Sequence, residues 1–162
     1  MTNVRVQVAG HGRHIDEAAT IWAETTAARD GDDEVAPLSL ARPVIQAVVD
    51  SSPRSLLFVA LGADDRIVGF AAVEPVPADE STAEVRYLGV HPGSWGQGVG
   101  RRLMSALPDR LPAAGFAQAE LAVYVDNRRA VKLYEGLGWL PYGEATPHPR
   151  SGRLEQRYRL AL

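Results

Sequence analysis

The stretch Val90-His91-Pro92-Gly93-Ser94-Trp95-Gly96-Gln97-Gly98-Val99-Gly100-Arg101-Arg102-Leu103-Met104 decides how this chain is read. It has the order of a strand end, a glycine-rich turn and a helix start. Gly96, Gly98 and Gly100 remove side chains where a backbone must come close to something. A helix that starts here points its first N–H groups and the positive end of its dipole into the turn, which suits a pyrophosphate. Arg101 and Arg102 sit against that dipole, and a bound anion would account for them. Alone, the segment is equally well read as a tight structural turn. Its G-x-G-x-G spacing is not that of a dinucleotide site, and no Gly-Lys-Ser/Thr follows as in a nucleotide-triphosphate loop. A ligand here would carry phosphate yet belong to neither class.

A second segment narrows the reading. Leu121-Ala122-Val123-Tyr124-Val125 fits a buried strand, and Asp126-Asn127 supplies a cap for a new helix. Ala130, Leu133, Tyr134 and Leu137 then recur at helical spacing, and Gly138 is placed to end the helix.

Together the two segments resemble the acyl-CoA-binding motifs of the GNAT superfamily of N-acetyltransferases. The first is similar to V-x-P-x-x-[RQ]-G-x-G-[IV]-G, the second to N-x-x-A-x-x-[LF]-Y-x-x-x-G-[FW], and motif-bearing residues run from Glu84 to Trp139. The resemblance implies an α/β (α+β) fold over residues 1–162 as a single GNAT-like domain. That fold has a mixed central sheet of six to seven strands, about four flanking helices, and splayed fourth and fifth strands. It implies acetyl-CoA as co-substrate, no metal, and direct transfer to a primary amine of a small molecule or peptide. Backbone groups of Leu88, Gly89 and Val90 would meet the acyl and pantetheine portion. The amides of Gln97, Gly98, Val99, Gly100, Arg101 and Arg102 would meet the pyrophosphate. Trp95 departs from the family's Arg or Gln and suits local packing. Asn127 matches a cofactor-contacting asparagine and is equally a helix cap. Tyr134 matches the tyrosine that faces the sulfur and would protonate the departing thiolate; from the residues alone it is a core tyrosine on the buried stripe. Glu84 stands near a glutamate base, and an ordinary pairing with Arg86 or Arg128 is the competing reading. His91 reads as structural, and His148 as a loop residue on the acceptor side. A non-catalytic acyl-CoA sensor on the same fold is the alternative function.

Composition is consistent with this. The chain has 162 residues, 46% hydrophobic and 23% charged, enough for one domain with a core. A net charge of −3 gives no footing for nucleic acid, and no apolar run approaches a membrane span. Without cysteine there is neither a thiolate nucleophile nor a disulfide framework. Met1 to Arg5 shows no leader pattern, so a cytoplasmic location is expected. Small enzymes of this kind commonly pair, so a homodimer is a further expectation, carried by no particular residue.

Periodicity supplies the element order. Strands are expected at 4–8, 55–60, 66–73, 83–90, 121–125 and 154–160, with a loop at 75–79. Helices are expected at 14–29 and 37–50, with Leu40, Val44, Ala47 and Val48 inward on the second. Another begins at the glycine turn, with Val99, Leu103, Ala106 and Leu107 inward and an end or kink at Pro108 and Pro112. The helix after Asn127 is the fourth. Asp30 to Glu34 form an acidic turn that would suit a cationic amine, or is simply solvated.

Overall fold

A computed structural model of the chain describes residues 3–162; Met1 and Thr2, part of the stretch read above for a leader, lie outside the described residues. The elements are β1 (Arg5–Val8), α1 (Ile15–Asp30), α2 (Leu38–Asp50), β2 (Leu56–Leu61), β3 (Ile67–Val76), β4 (Asp79–Val90), α3 (Val99–Arg110), β5 (Gln118–Tyr124), α4 (Arg128–Gly136), β6 (Leu140–Pro147) and β7 (Leu154–Ala161). Short 3-10 turns occupy Pro92–Ser94 and Pro112–Ala114. The strands form one mixed seven-stranded sheet in the order β1-β2-β3-β4-β5-β7-β6. The expected α/β class, strand number and four helices all hold. The parallel ladder of β4 with β5 covers only Thr82–Glu84 against Gln118–Glu120, the short pairing expected of strands that splay.

Two compact units are distinguished along the chain. The first comprises residues up to Glu74 together with Arg86–Leu107. Here β1, β2 and β3 pair as an antiparallel meander. The helices α1 and α2 bury Ile15, Ala18, Ala19, Ile21, Ala41, Ile45 and Val48 against Leu57, Val59, Phe70 and Ala72. The inward stripe of α2 is therefore Ala41–Ile45–Val48, while Leu40 is 66% exposed and Ala47 is exposed. Only Val48 of the expected set is fully buried. Two apolar stripes one residue apart both have helical spacing, and contact with α1 selects between them.

The opposite face of the same sheet receives α3. A Cβ on Gly69 would stand 2.9 Å from Val99 Cγ1, 3.0 Å from Leu103 Cδ1 and 3.1 Å from the Gly89 carbonyl oxygen. Only glycine lets α3 lie this close to β3. Gly69→Ala is accordingly expected to destabilise the protein by about 1–3 kcal/mol, read as a lower urea midpoint. An unchanged midpoint would contradict the packing. The helix runs on through Pro108 and ends at Arg110, just ahead of Pro112, so of the two expected prolines only the second marks its end. Burial of Leu107 and Leu111 on either side outweighs the one missing N–H.

The second unit comprises Pro75–Val85 and Pro108–Leu162. Its strands β5, β7 and β6 are antiparallel neighbours, with Glu120 opposite Arg159, Leu121 opposite Tyr158 and Tyr142 opposite Arg157. Leu121, Val123, Tyr134, Trp139 and Tyr158 are buried in it. The Tyr158 hydroxyl donates to Glu135 Oε2 at 3.2 Å, tying α4 to the face that carries Tyr158. The expected loop at 75–79 is mostly strand. β3 reaches Val76 and β4 starts at Asp79, whose carboxylate accepts hydrogen bonds from Ser81 and Thr82 and so organises a short turn.

Candidate functional site

The glycine turn lies in the first unit. Gly98, at φ +80°, directs the chain into α3, and a Cβ there would meet nothing within 4 Å. The positive φ explains the glycine, and the open space around it leaves the backbone accessible. Within α3 the Arg102 amide donates to the Gly98 carbonyl at 3.1 Å. Val99, Gly100 and Arg101 precede that bond, so their amides have no intrahelical acceptor. Arg102 thus leaves the expected set of anion-binding amides: as the fourth helical residue it already has a partner. Its guanidinium is also engaged, donating from Nη1 to the Val4 carbonyl at 2.7 Å. Arg101 is exposed in the first turn. Leu88, Gly89 and Val90 end β4 where the turn begins.

The departure at Trp95 has a local explanation. Its indole N–H donates to the Val90 carbonyl at 2.7 Å while 44% of the residue stays exposed. His91 is structural, as expected. Its Nδ1 accepts from the Gly93 amide at 3.0 Å, and its Nε2 lies 3.4 Å from Glu24 on α1.

The remaining expected residues lie in the second unit. Asn127 caps α4, its side-chain oxygen accepting from the Ala130 amide at 3.3 Å. Tyr134 is the one fully buried residue of α4, 8% exposed. Its ring lies 6.2 Å from that of Trp139. The Trp139 amide, after the turn at Gly138, donates back to the Tyr134 carbonyl at 3.0 Å. Among the described residues no group hydrogen-bonds the Tyr134 hydroxyl, and burial pushes its pKa up to about 12. The phenol is therefore protonated at any ordinary pH. The same shift carries a stability consequence. Between the unfolded value of 10.0 and the folded value of about 12, only the unfolded chain ionises at this position. Stability contributed below pH 10 is lost as pH rises through that window, by about 3 kcal/mol. Urea unfolding of the wild type and of Tyr134→Phe across pH 9–12 checks this: the variant should lack that part of the loss. Parallel curves would contradict it.

Glu84 lies on β4 with a side chain 19% exposed, and its ionic partner is neither Arg86 nor Arg128. Arg86 pairs with Glu74 at 3.4 Å, whereas Arg157 Nη2 stands 3.7 Å from Glu84 Oε1. Arg157 belongs to a network that sequence reasoning missed. Glu120, 7% exposed, accepts from Arg159 Nη2 at 2.7 Å and from Arg157 Nη2 at 3.1 Å. Burial works to raise the Glu120 pKa, but the two arginines hold it below the usual carboxylate range. Arg157 Nε also donates to the Tyr142 hydroxyl at 2.7 Å. These residues share the sheet face opposite Tyr158 and α4, because neighbours along a strand alternate. The signal available in the sequence was a glutamate at the head of an apolar run and arginines two apart on the last strand.

His148, on the β6–β7 hairpin, accepts from the Arg150 and Ser151 amides at 3.2 and 3.3 Å, so its Nδ1 organises the hairpin tip. Among the described residues no group of three or more His, Asp or Glu is placed to hold a metal. Also among them, no helix is long and apolar enough to cross a membrane.

The model of the acetyltransferase (GNAT) family matches residues 16–139, more than half of the chain and inclusive of both motifs. The chain belongs to the acetyltransferase (GNAT) family. The GNAT assignment makes it a member of a family of acyltransferases. The mycothiol acetyltransferase of Beutenbergia cavernae is 44% identical over 63 residues, covering 39% of this chain and 21% of the relative. This GNAT chain thus spans about a fifth of that relative's length. An acetyltransferase from Thermus thermophilus superposes with a TM-score of 0.75 at 17% identity over 100% of both chains. A chain of the NatC complex bound to Gag peptide and CoA gives a TM-score of 0.70 at 14% identity, over 98% of each. At these identities the likeness establishes the GNAT fold.

Proposed function

We propose that this chain is an N-acetyltransferase that moves the acetyl group of acetyl-CoA directly to a primary amine of a small molecule or peptide. The observation that carries the proposal is the glycine turn. The first amides of α3 precede the first intrahelical bond, and a Cβ at the neighbouring Gly98 would meet nothing within 4 Å, in a chain whose family is that of acetyltransferases. That backbone fits a pyrophosphate. The NatC relative was solved with CoA, which supports the same ligand here.

The bound co-substrate would supply an activated thioester. Each remaining requirement falls to a residue of this chain. The amides of Gln97, Gly98, Val99, Gly100 and Arg101 would bind the diphosphate. The backbone of Leu88, Gly89 and Val90 would hold the pantetheine, and the Val90 amide would meet the oxyanion that develops on the acetyl carbonyl. Asn127 would add a cofactor contact to its capping role. Glu84, directly or through a water, would take the proton of the attacking amine. Tyr134, protonated throughout the working pH range, would give its proton to the departing sulfur. Holding amine and thioester together lowers the entropic barrier to attack. No step calls for a metal. The proposal takes residues 1–162 as one domain on length and the resemblance, in the cytoplasm on composition, and as a homodimer because small enzymes of this kind commonly pair.

The test is a thiol-release assay with acetyl-CoA across polyamines, aminoglycosides, amino acids and peptide N-termini. Acetyl-dependent thiol release with at least one amine, and mass gain of one acetyl on that amine, is the expected result. Tight acetyl-CoA binding with no release across the panel would favour a sensor instead.

A further inference from the structure

The network on the second unit's open sheet face is more elaborate than solubility requires. Glu120 is a nearly buried carboxylate, and buried charge is costly unless it is paired and hydrogen-bonded. It is paired on both oxygens: Arg159 donates twice to Oε1, at 2.7 and 3.2 Å, and Arg157 donates to Oε2 at 3.1 Å. Arg157 is held at a second point, Nε on the Tyr142 hydroxyl at 2.7 Å. Its planar head is thereby fixed, which a flexible lysine would not achieve. The nitrogen that bonds Glu120, Nη2, is also the atom 3.7 Å from Glu84 Oε1.

Glu84 and Glu120 are direct partners in the β4–β5 ladder. Two carboxylates side by side repel. The Arg157 head touches both and removes that repulsion. Arg86, the nearest cation on β4 itself, is paired with Glu74. The groups that face Glu84 are thus Glu120 from β5 and Arg157 from β7, with Arg159 and Tyr142 behind them.

We propose that Arg157 is a positioning residue, braced by Glu120 and Tyr142, that fixes the Glu84 carboxylate for proton transfer from the acceptor amine. This rests on the reading of Glu84 as the base. Glu120 is then an anchor for Arg157 rather than a second base, since both its oxygens are engaged by arginine.

A double-mutant cycle tests it, with acetyl-CoA and the best amine from the thiol-release panel. Arg157→Met should lower kcat about 10- to 100-fold, the scale of a misplaced catalytic group, and leave KM for acetyl-CoA within about twofold. Methylguanidinium added to Arg157→Ala should restore part of kcat. In a Glu84→Gln background, already slowed about 100-fold, Arg157→Met should cost nothing further, because the residue it serves is gone. Multiplicative losses in the two backgrounds would overturn the positioning role while leaving Glu84 as base. So would an Arg157→Met enzyme with unchanged kcat. Full activity of Glu84→Gln would instead sink the base reading, and the inference with it. Should Arg157→Met fail to fold, Tyr142→Phe keeps the ring and removes the hydroxyl that braces Arg157 Nε, together with its hydrogen bonds to Glu120 and Arg159. It should lower kcat a few-fold in the wild type and not at all beside Glu84→Gln; equal losses in both would overturn the proposal.

Discussion

Replacing Tyr134 with phenylalanine will lower kcat by about 100-fold or more, the usual contribution of a placed proton donor, with little change in affinity for acetyl-CoA. The substitution removes one oxygen and leaves the ring. That ring is what packs against Trp139, and among the described residues nothing hydrogen-bonds the hydroxyl. Removal therefore leaves no stranded partner, and the fold should be unharmed or slightly more stable. A phenol with a pKa of about 12 is a weak acid in isolation. It is nonetheless protonated at every working pH, and a departing thiolate takes its proton as charge develops. Kinetics with saturating acetyl-CoA, together with the melting temperature of the variant, settle the matter. Equal losses in kcat and in acetyl-CoA affinity would reassign Tyr134 to packing.

The second large effect belongs to Gly98. Gly98→Asp and Gly98→Asn have nearly the same shape, and both residues tolerate positive φ better than most. Neither meets a neighbouring atom at Cβ, so both variants should fold. They differ by one charge placed against the helix-start amides. Beside a diphosphate, a unit charge at about 4 Å in a partly exposed site is worth up to about 4 kcal/mol. Gly98→Asp should therefore weaken CoA binding about 100-fold or more, and Gly98→Asn markedly less, as read by titration calorimetry. Equal affinities for the two variants would place the phosphates elsewhere.

The turn and α4 were legible in the sequence because both are local. Glycine spacing, a capping asparagine and an apolar stripe each act within a few residues of themselves. What escaped depends on partners distant in sequence. The inward face of α2 could be read from Leu40 or from Ala41, and α1 makes the choice. Pro108 is a helix breaker by propensity, yet buried Leu107 and Leu111 carry the helix past it. Glu120 falls outside the expected fifth strand, because the continuous apolar run begins only at Leu121 while β5 begins at Gln118. Its pairing with arginines 37 and 39 positions away leaves no local trace. Arg102 looked like part of an anion site, whereas its side chain holds the start of β1 through the Val4 carbonyl.

The central claim is that this chain binds acetyl-CoA through the glycine turn. A thermal-shift titration of the purified protein with acetyl-CoA tests it most directly. A ligand that binds only the native state raises the melting temperature with concentration. At about 100 times its dissociation constant the gain is about 2.7 kcal/mol, or roughly 5–10 °C for a protein of this size. The account predicts that rise in the wild type, and a much smaller one in Gly98→Asp at the same concentration. A flat melting temperature up to millimolar acetyl-CoA in the wild type would contradict it.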